Sequence, residues 1–222
     1  MAGGPGLREL KKLRTRRTLI ETAVCLFERQ GYDETTLAEI AAAADVSTRT
    51  FFSYFAGKED VVFFDTRARV DGALAVMAGR RPGEPVAELL MRVAAAALRF
   101  DSEDVELARE LAPARTRLIM SVPALRGRAL HLLFDVQREL ADALLRAYPG
   151  ELDPVEAGAA IGAFVGAAKQ AAMVSRDRGD PPDLMWAAAR RGVEIAMYGL
   201  RSLDPPHREE PSTDFANNAT KA

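Results

Sequence analysis

Two histidines and a single cysteine, Cys25, in 222 residues leave little material for nucleophilic or metal chemistry. The sequence holds no HExxH, no P-loop and no GxGxxG after a strand pattern, so common signatures of metal-dependent, nucleotide-driven and dinucleotide-dependent enzymes are missing. One cysteine cannot form an internal disulfide, which fits a reducing compartment, and Cys25 is expected as a small packing residue. No apolar run reaches the roughly 20 residues that a spanning helix needs. The longest, residues 157–168, ends at Lys169, so no membrane association is expected. No apolar stretch follows the basic N-terminal residues, and no signal peptide is expected. Sustained apolar–polar alternation is also missing, which excludes a β fold. Neither a cofactor nor a metal site is expected.

Charge of one sign is scarce overall but not locally. A net charge of −2 excludes nucleic-acid binding by bulk charge. Residues 1–20, however, carry Arg8, Lys11, Lys12, Arg14, Arg16 and Arg17 against Glu9. A flexible basic arm is expected over residues 1–12. Arg14, Arg16 and Arg17 behind it are candidates to follow phosphates or enter a minor groove; a merely solvated terminus is the alternative.

Residues 36–60, TLAEIAAAADVSTRTFFSYFAGKED, carry the densest signal. Thr36 and Glu39 form a capping box, each side chain meeting an orphan amide of the other. Leu37, Ile40, Ala41 and Ala44 follow as one apolar stripe. Asp45-Val46 makes a turn that needs a positive φ, which Asp tolerates through local hydrogen bonding. Ser47 caps a second helix with Phe51 and Phe55 inward and Thr48, Arg49, Phe52, Ser53 and, at the edge, Tyr54 outward. That pattern is a helix-turn-helix, whose second helix suits the major groove of double-stranded DNA. Arg49 has the fork to read a guanine, Thr48 and Ser53 suit base edges or phosphate, and Phe52 suits a thymine methyl. Lys58, opening the next helix, suits a phosphate. The candidate DNA-binding set is completed by Thr36, Ser47 and Thr50. Six of the ten phenylalanines precede residue 65, as a small domain needing large apolar side chains requires.

The segment from Arg14 to Asp65 resembles the N-terminal domain of the TetR family of bacterial transcriptional regulators. The resemblance lies in LF-x-x-x-G-Y (Leu26, Phe27, Gly31, Tyr32), the TT-L-x-x-I-A-x-x-A run from Thr35, the V-S turn, the aromatic-rich second helix and K-E-x-V from Lys58. Three positions depart from the pattern: Asp45 stands for the usual glycine, Phe51-Phe52 for Leu-Tyr, and Tyr54-Phe55 for His-Phe. The wording of residues 47–62 is similar to regulators common in actinobacteria, some of which sense acyl-thioesters or other hydrophobic ligands. The resemblance implies an all-α protein with a three-helix DNA-binding domain, here residues 13–60, and a larger helical ligand-binding and dimerisation domain, here residues 61–203. It also implies a homodimer, a small hydrophobic effector and a location in the cytoplasm at the nucleoid.

The remaining pattern is helical. Helices are expected over residues 58–77, 86–100, 106–120 (interrupted by Pro113), 123–148, 155–176 and 183–203, about nine in all, with 80–85 a linker and 204–222 a disordered tail. Gly158, Gly162 and Gly166 recur every four residues. Glycine costs a helix about 1 kcal/mol against alanine, so close helix–helix approach is the expected reason. The family uses its last two long helices as a dimer interface. The resemblance places that role on these glycines with Phe164, Met173, Trp186, Ile195 and Met197; packing within one subunit is the alternative. Leu98, Phe100, Met120, Leu130, His131, Phe134 and Phe164 are candidate pocket-lining residues, equally what a helical core would contain.

A ligand-responsive repressor, binding a palindromic operator as a homodimer, is therefore the leading expectation. A helical small-molecule-binding enzyme and a ligand-independent activator or architectural DNA-binding dimer are the alternatives.

Overall fold

The computed structural model describes residues 6–99 and 103–199, without the side chains of 98, 99 and 103–105. Leu98 and Phe100, two of the candidate pocket residues, and the expected tail therefore lie outside the described side chains. Eleven helices are formed: α1 (Leu7–Gln30), α2 (Leu37–Ala43), α3 (Thr48–Phe52), α4 (Lys58–Val62), α5 (Thr66–Ala78), α6 (Val86–Arg99), α7 (Glu103–Glu110), α8 (Ala112–Ser121), α9 (Pro123–Ala147), α10 (Pro154–Asp177) and α11 (Pro182–Tyr198). The described residues include no strand, so the fold is all-α.

Two apolar cores organise these helices. The first joins Leu19, Ile20, Ala23 and Phe27 of α1 to Ile40, Phe51, Val61 and Val62 of the next three helices. It does not end near residue 60. Leu107 of α7, Ala114 and Leu118 of α8 and Leu125 of α9 complete it, so part of the C-terminal region roofs the N-terminal domain. The second core gathers Met77, Leu89, Leu90, Leu144, Ile161, Phe164 and Val193 from α5, α6, α9, α10 and α11.

Two element boundaries differ from expectation, and the break expected at Pro113 is present. Helix α1 begins at Leu7, so residues 7–12 are its first turns rather than a flexible arm. The helix expected over 58–77 is two, because Phe63 leaves helical geometry at φ −105°, ψ 23°. The carbonyls freed there are met by side chains from distant helices: Arg115 Nε donates to Val62 O at 2.7 Å and Arg16 Nη2 to Phe64 O at 2.8 Å. Pro113 separates α7 from α8 by sitting in the first turn of α8, where its missing N–H is not required. The segment expected as a plain linker is also tied down. Arg80 donates to Ala147 O at 2.9 Å and to Glu151, and Tyr148 donates its hydroxyl to Glu84 O at 2.8 Å. Arg92 grips both oxygens of Glu84 and holds that carboxyl down at about 2.

Helix α10 starts at a capping box in which Asp153 accepts from Glu156 N at 2.8 Å and Glu156 accepts from Asp153 N at 2.9 Å. By length and composition it passes as apolar enough to cross a membrane, with a mean hydropathy of 1.3 over 18 residues, while its longest unbroken apolar run, residues 157–168, stays short of a span as expected. It lies instead along α9 and α11, and only 11% of that window is buried within the subunit.

Within the subunit, the close approach to α10 is made by a glycine of α11. A Cβ on Gly192 of α11 would lie 2.8 Å from Ala171 Cβ and closer still to Ala167 O, whereas Cβ atoms on Gly158, Gly162 and Gly166 would meet nothing within 4 Å. Two larger residues of the expected dimer face are committed internally. Phe164 belongs to the second core, and the Trp186 ring lies under the guanidiniums of Arg69 (5.2 Å) and Arg109 (5.8 Å). Met173 and Ile195 are half-buried, and Met197 packs on the second core.

Gly192→Ala should therefore lose about 1–3 kcal/mol to overpacking, and in the isolated subunit, where a Cβ at Gly158 meets nothing within 4 Å, Gly158→Ala should gain up to about 1 kcal/mol of helix propensity. Urea unfolding of both variants at a protein concentration low enough to keep the subunit monomeric checks the opposite signs.

Candidate nucleic-acid interface

The helix-turn-helix is built almost entirely from local hydrogen bonds. Thr36 Oγ1 accepts from Glu39 N at 3.2 Å while Glu39 Oε2 accepts from Thr36 N at 2.8 Å, closing the capping box. The Thr36 N–H and hydroxyl, both donating to Glu39 Oε2 at 2.8 Å, hold the Glu39 carboxyl below its usual range. The chain then reverses at Asp45, the one described non-glycine residue with positive φ (55°), and Val46 N returns to Ala41 O at 2.9 Å. Ser47 Oγ accepts from Thr50 N at 3.0 Å and starts α3. Phe51, with no exposed surface, pins α3 to the core, and its ring contacts Phe55 at 5.7 Å.

What this framework leaves outside is the expected recognition surface. Thr48, Arg49, Phe52 and Ser53 are exposed and Thr50 and Tyr54 half-exposed. Phe52 is 55% exposed, which removes it from the core and leaves its ring edge-on to Phe51 at 5.8 Å. Ser53 Oγ donates to Thr50 O at 2.6 Å, so of the two hydroxyls assigned to base edges only that of Thr48 carries no local hydrogen bond among the described residues.

The basic residues divide differently from expectation. Lys58 Nζ donates to Tyr32 O at 2.7 Å and Thr35 O at 3.3 Å and lies 4.2 Å over the Tyr32 ring. It therefore ties the α1–α2 turn to α4 rather than standing open to a phosphate. Burial raises the Tyr32 phenol well above its ordinary value, with Glu59 nearby adding to the shift. Arg16 spans Phe55 and Phe64 and serves the α4–α5 break, and Arg17 pairs with Glu21 (2.8 Å) and Glu110 (2.9 Å). Of the three arginines only Arg14 is exposed.

Behind the surface lies a junction that sequence reading missed. Asp65, 5% exposed as a side chain, accepts from Arg115 Nη2 at 2.6 Å and from Arg69. Burial alone would raise its carboxyl, but the two guanidiniums outweigh burial and hold it below the usual range. Arg69 was readable as an i,i+4 partner; Arg115, fifty residues away, carried no sequence signal.

The expected pocket residues do not come together. Met120, Leu130 and Phe134 are 42%, 55% and 67% exposed, His131 is exposed beside them, and Phe164 is core. These α9 side chains stand on the helix face turned away from both cores. Cys25 is likewise exposed rather than packed.

The geometry defines a helix-turn-helix of the DNA-binding kind. Residues 19–63 match the family of bacterial regulatory proteins described as the tetR family. The transcriptional regulator TcmR of Streptomyces glaucescens is 47% identical over 81 residues, 36% of each chain. The regulator HbdR of Aromatoleum sp. (strain CIB) is 39% identical over 56 residues, 25% of this chain and 24% of its own. The matched part thus spans between a quarter and about a third of these relatives' length. The likeness to the TetR family lies in the N-terminal part of the chain. Over most of its length the chain shares the fold of a TetR-family regulator structure from Syntrophomonas wolfei, with a TM-score of 0.56, 15% identity and coverage of 85% of this chain and 97% of that one.

Arg115→Ala should cost about 3 kcal/mol at neutral pH by leaving a buried carboxylate short of a partner. A depressed folded pKa contributes stability above the unfolded value of about 3.9 that is lost as the carboxyl protonates. The deficit should therefore shrink as pH falls through the carboxylate range. Urea unfolding at pH 7 and pH 3.5 checks it; a deficit that does not change with pH would place the loss in packing on Phe64 instead.

Proposed function

We propose that the chain is a DNA-binding transcriptional regulator that acts as a homodimer on a palindromic operator, represses, and is released by a small hydrophobic effector. The observation that carries the reading is the exposed face of α3. Arg49, Thr48 and Phe52 project from a helix whose caps, turn and Phe51 anchor are satisfied without them. A guanidinium, a hydroxyl and an aromatic edge on one short helix match the donor, acceptor and methyl pattern of the major groove. Arg14 adds a phosphate contact from α1.

Pairing is supported by α10. Val155, at 79% exposure, begins an uncovered stripe that continues through Gly158, Gly162 and Gly166 to Val174. A second copy laid along that stripe would bury apolar surface that water otherwise wets, and the missing Cβ atoms would let the helices approach closely. Two α3 helices related by the resulting two-fold axis would read half-sites about 34 Å apart.

The release step follows from the junction. Arg115 bonds both sides of the α4–α5 break, so a shift of α8 alters the placement of α3 and with it the half-site spacing. The enzyme alternative draws no support from the relatives, which are named transcriptional regulators.

Selection of binding sites from random duplex DNA should enrich a palindrome. Arg49→Ala should lose about 1–3 kcal/mol on that operator and much less on random DNA. Equal loss on both would remove Arg49 from base reading. Gly162→Leu should shift the protein toward monomer in sedimentation at micromolar concentration, and an unchanged mass would remove α10 from the dimer face.

A further inference from the structure

A cleft of about 370 Å³ in the described part of the protein does not lie among the expected pocket residues. It opens between the N-terminal domain and α9, and it has the size of a small-molecule site. Its apolar lining includes Tyr54 after α3, Phe63 at the α4–α5 break, Val70 of α5, and Leu132 and Val136 of α9. Three arginines and three acids surround that lining, so net charge does not decide what would bind.

Hydrogen bonding does decide it. Arg16 is used on Phe64 O at 2.8 Å, and Arg67 on Asp71 and on both oxygens of Glu139 at 3.1 Å. Asp60 Oδ2 accepts from Ala56 N at 3.2 Å, and Asp135 pairs with Arg138 at 3.1 Å. Arg128 differs. Its guanidinium reaches Asp60 Oδ1 only at 3.7 Å, a Coulombic pair too long for a hydrogen bond, and its side chain is 46% exposed. A fork of N–H donors beside an apolar floor is the complement of a planar oxyanion on an apolar ring.

We infer that this cleft binds a small aromatic carboxylate, its ring on the Tyr54–Phe63–Leu132 lining and its carboxylate on Arg128, displacing the weak partner Asp60. The ligand would touch the end of the α3 segment and α9 together, so occupancy fixes the N-terminal domain against the C-terminal one. The site stands on its own geometry and goes beyond the proposed DNA reading, since binding is measurable without DNA.

Titration calorimetry of the full chain with 2-naphthoate tests it, with 2-naphthamide as the uncharged counterpart. Saturable 1:1 binding per chain is expected, at least about tenfold weaker for the amide and for Arg128→Gln, as the loss of a charge-assisted pair implies. Asp60→Asn, which removes the competitor and keeps an acceptor for Ala56 N, should bind more tightly than wild type. Arg146→Gln, an exposed α9 change away from the cleft, should bind as wild type does. No saturable binding, equal affinity for the amide, equal affinity of Arg128→Gln, or an Asp60→Asn variant no tighter than wild type each overturns the assignment. Failure to enrich an operator would overturn the DNA reading alone and leave these outcomes unaffected.

Discussion

The structure turns on a helix that is not allowed to continue. Between Val62 and Thr66 the backbone leaves helical geometry, and the exposed carbonyls and the buried Asp65 carboxylate are met by guanidiniums from α1, α5 and α8. Buried carbonyls and carboxylates without partners are costly, so the three arginines are conditions for the break rather than additions to it. Because Arg16 comes from the N-terminal domain and Arg115 from the C-terminal region, the break is also the place where the two are fastened. Phe64 fills the space between those guanidiniums, 5.7 Å from one and 4.7 Å from the other. Charge and aromatic surface thus act on the same few ångströms of chain.

That fastening explains the division of labour among basic residues. Arg16, Arg17 and Lys58 lie near the expected nucleic-acid surface yet are spent on carbonyls, carboxylates and rings of the protein itself. Arg49 and Arg14 remain in solvent. A domain of this size has few ways to hold an apolar core under a polar surface, and long cationic side chains serve by covering apolar rings with their stems while satisfying carbonyls with their heads. The residues left over are those that the local caps make unnecessary for folding.

The helix-turn-helix was legible because its determinants are local. Thr36 with Glu39, Asp45 at positive φ and Ser47 with Thr50 act over three residues or fewer, and sequence displays such spacings directly. Pro123 marked a helix start and Pro113 a helix interruption for the same reason. What stayed hidden is non-local. Nothing near Arg115 or Phe63 in sequence announces their meeting, so a continuous helical pattern over residues 58–77 concealed a break. The glycines of α10 drew attention by their period, while the glycine that a neighbour's backbone requires, Gly192, is solitary and shows no pattern. Lys58 and the α1 arginines were read by charge and position, and neither reveals which partner arrives first.

Gly192 carries a mechanical consequence. With no room for even a Cβ between Gly192 and the Ala167 carbonyl or the Ala171 side chain, α11 and α10 are seated backbone against backbone at that point. The pair behaves as one plate. Any displacement that begins elsewhere in the helical region must go around that plate, through α5, α6, α8 and α9, and whatever rests on its outer face is carried as an undeformed foundation.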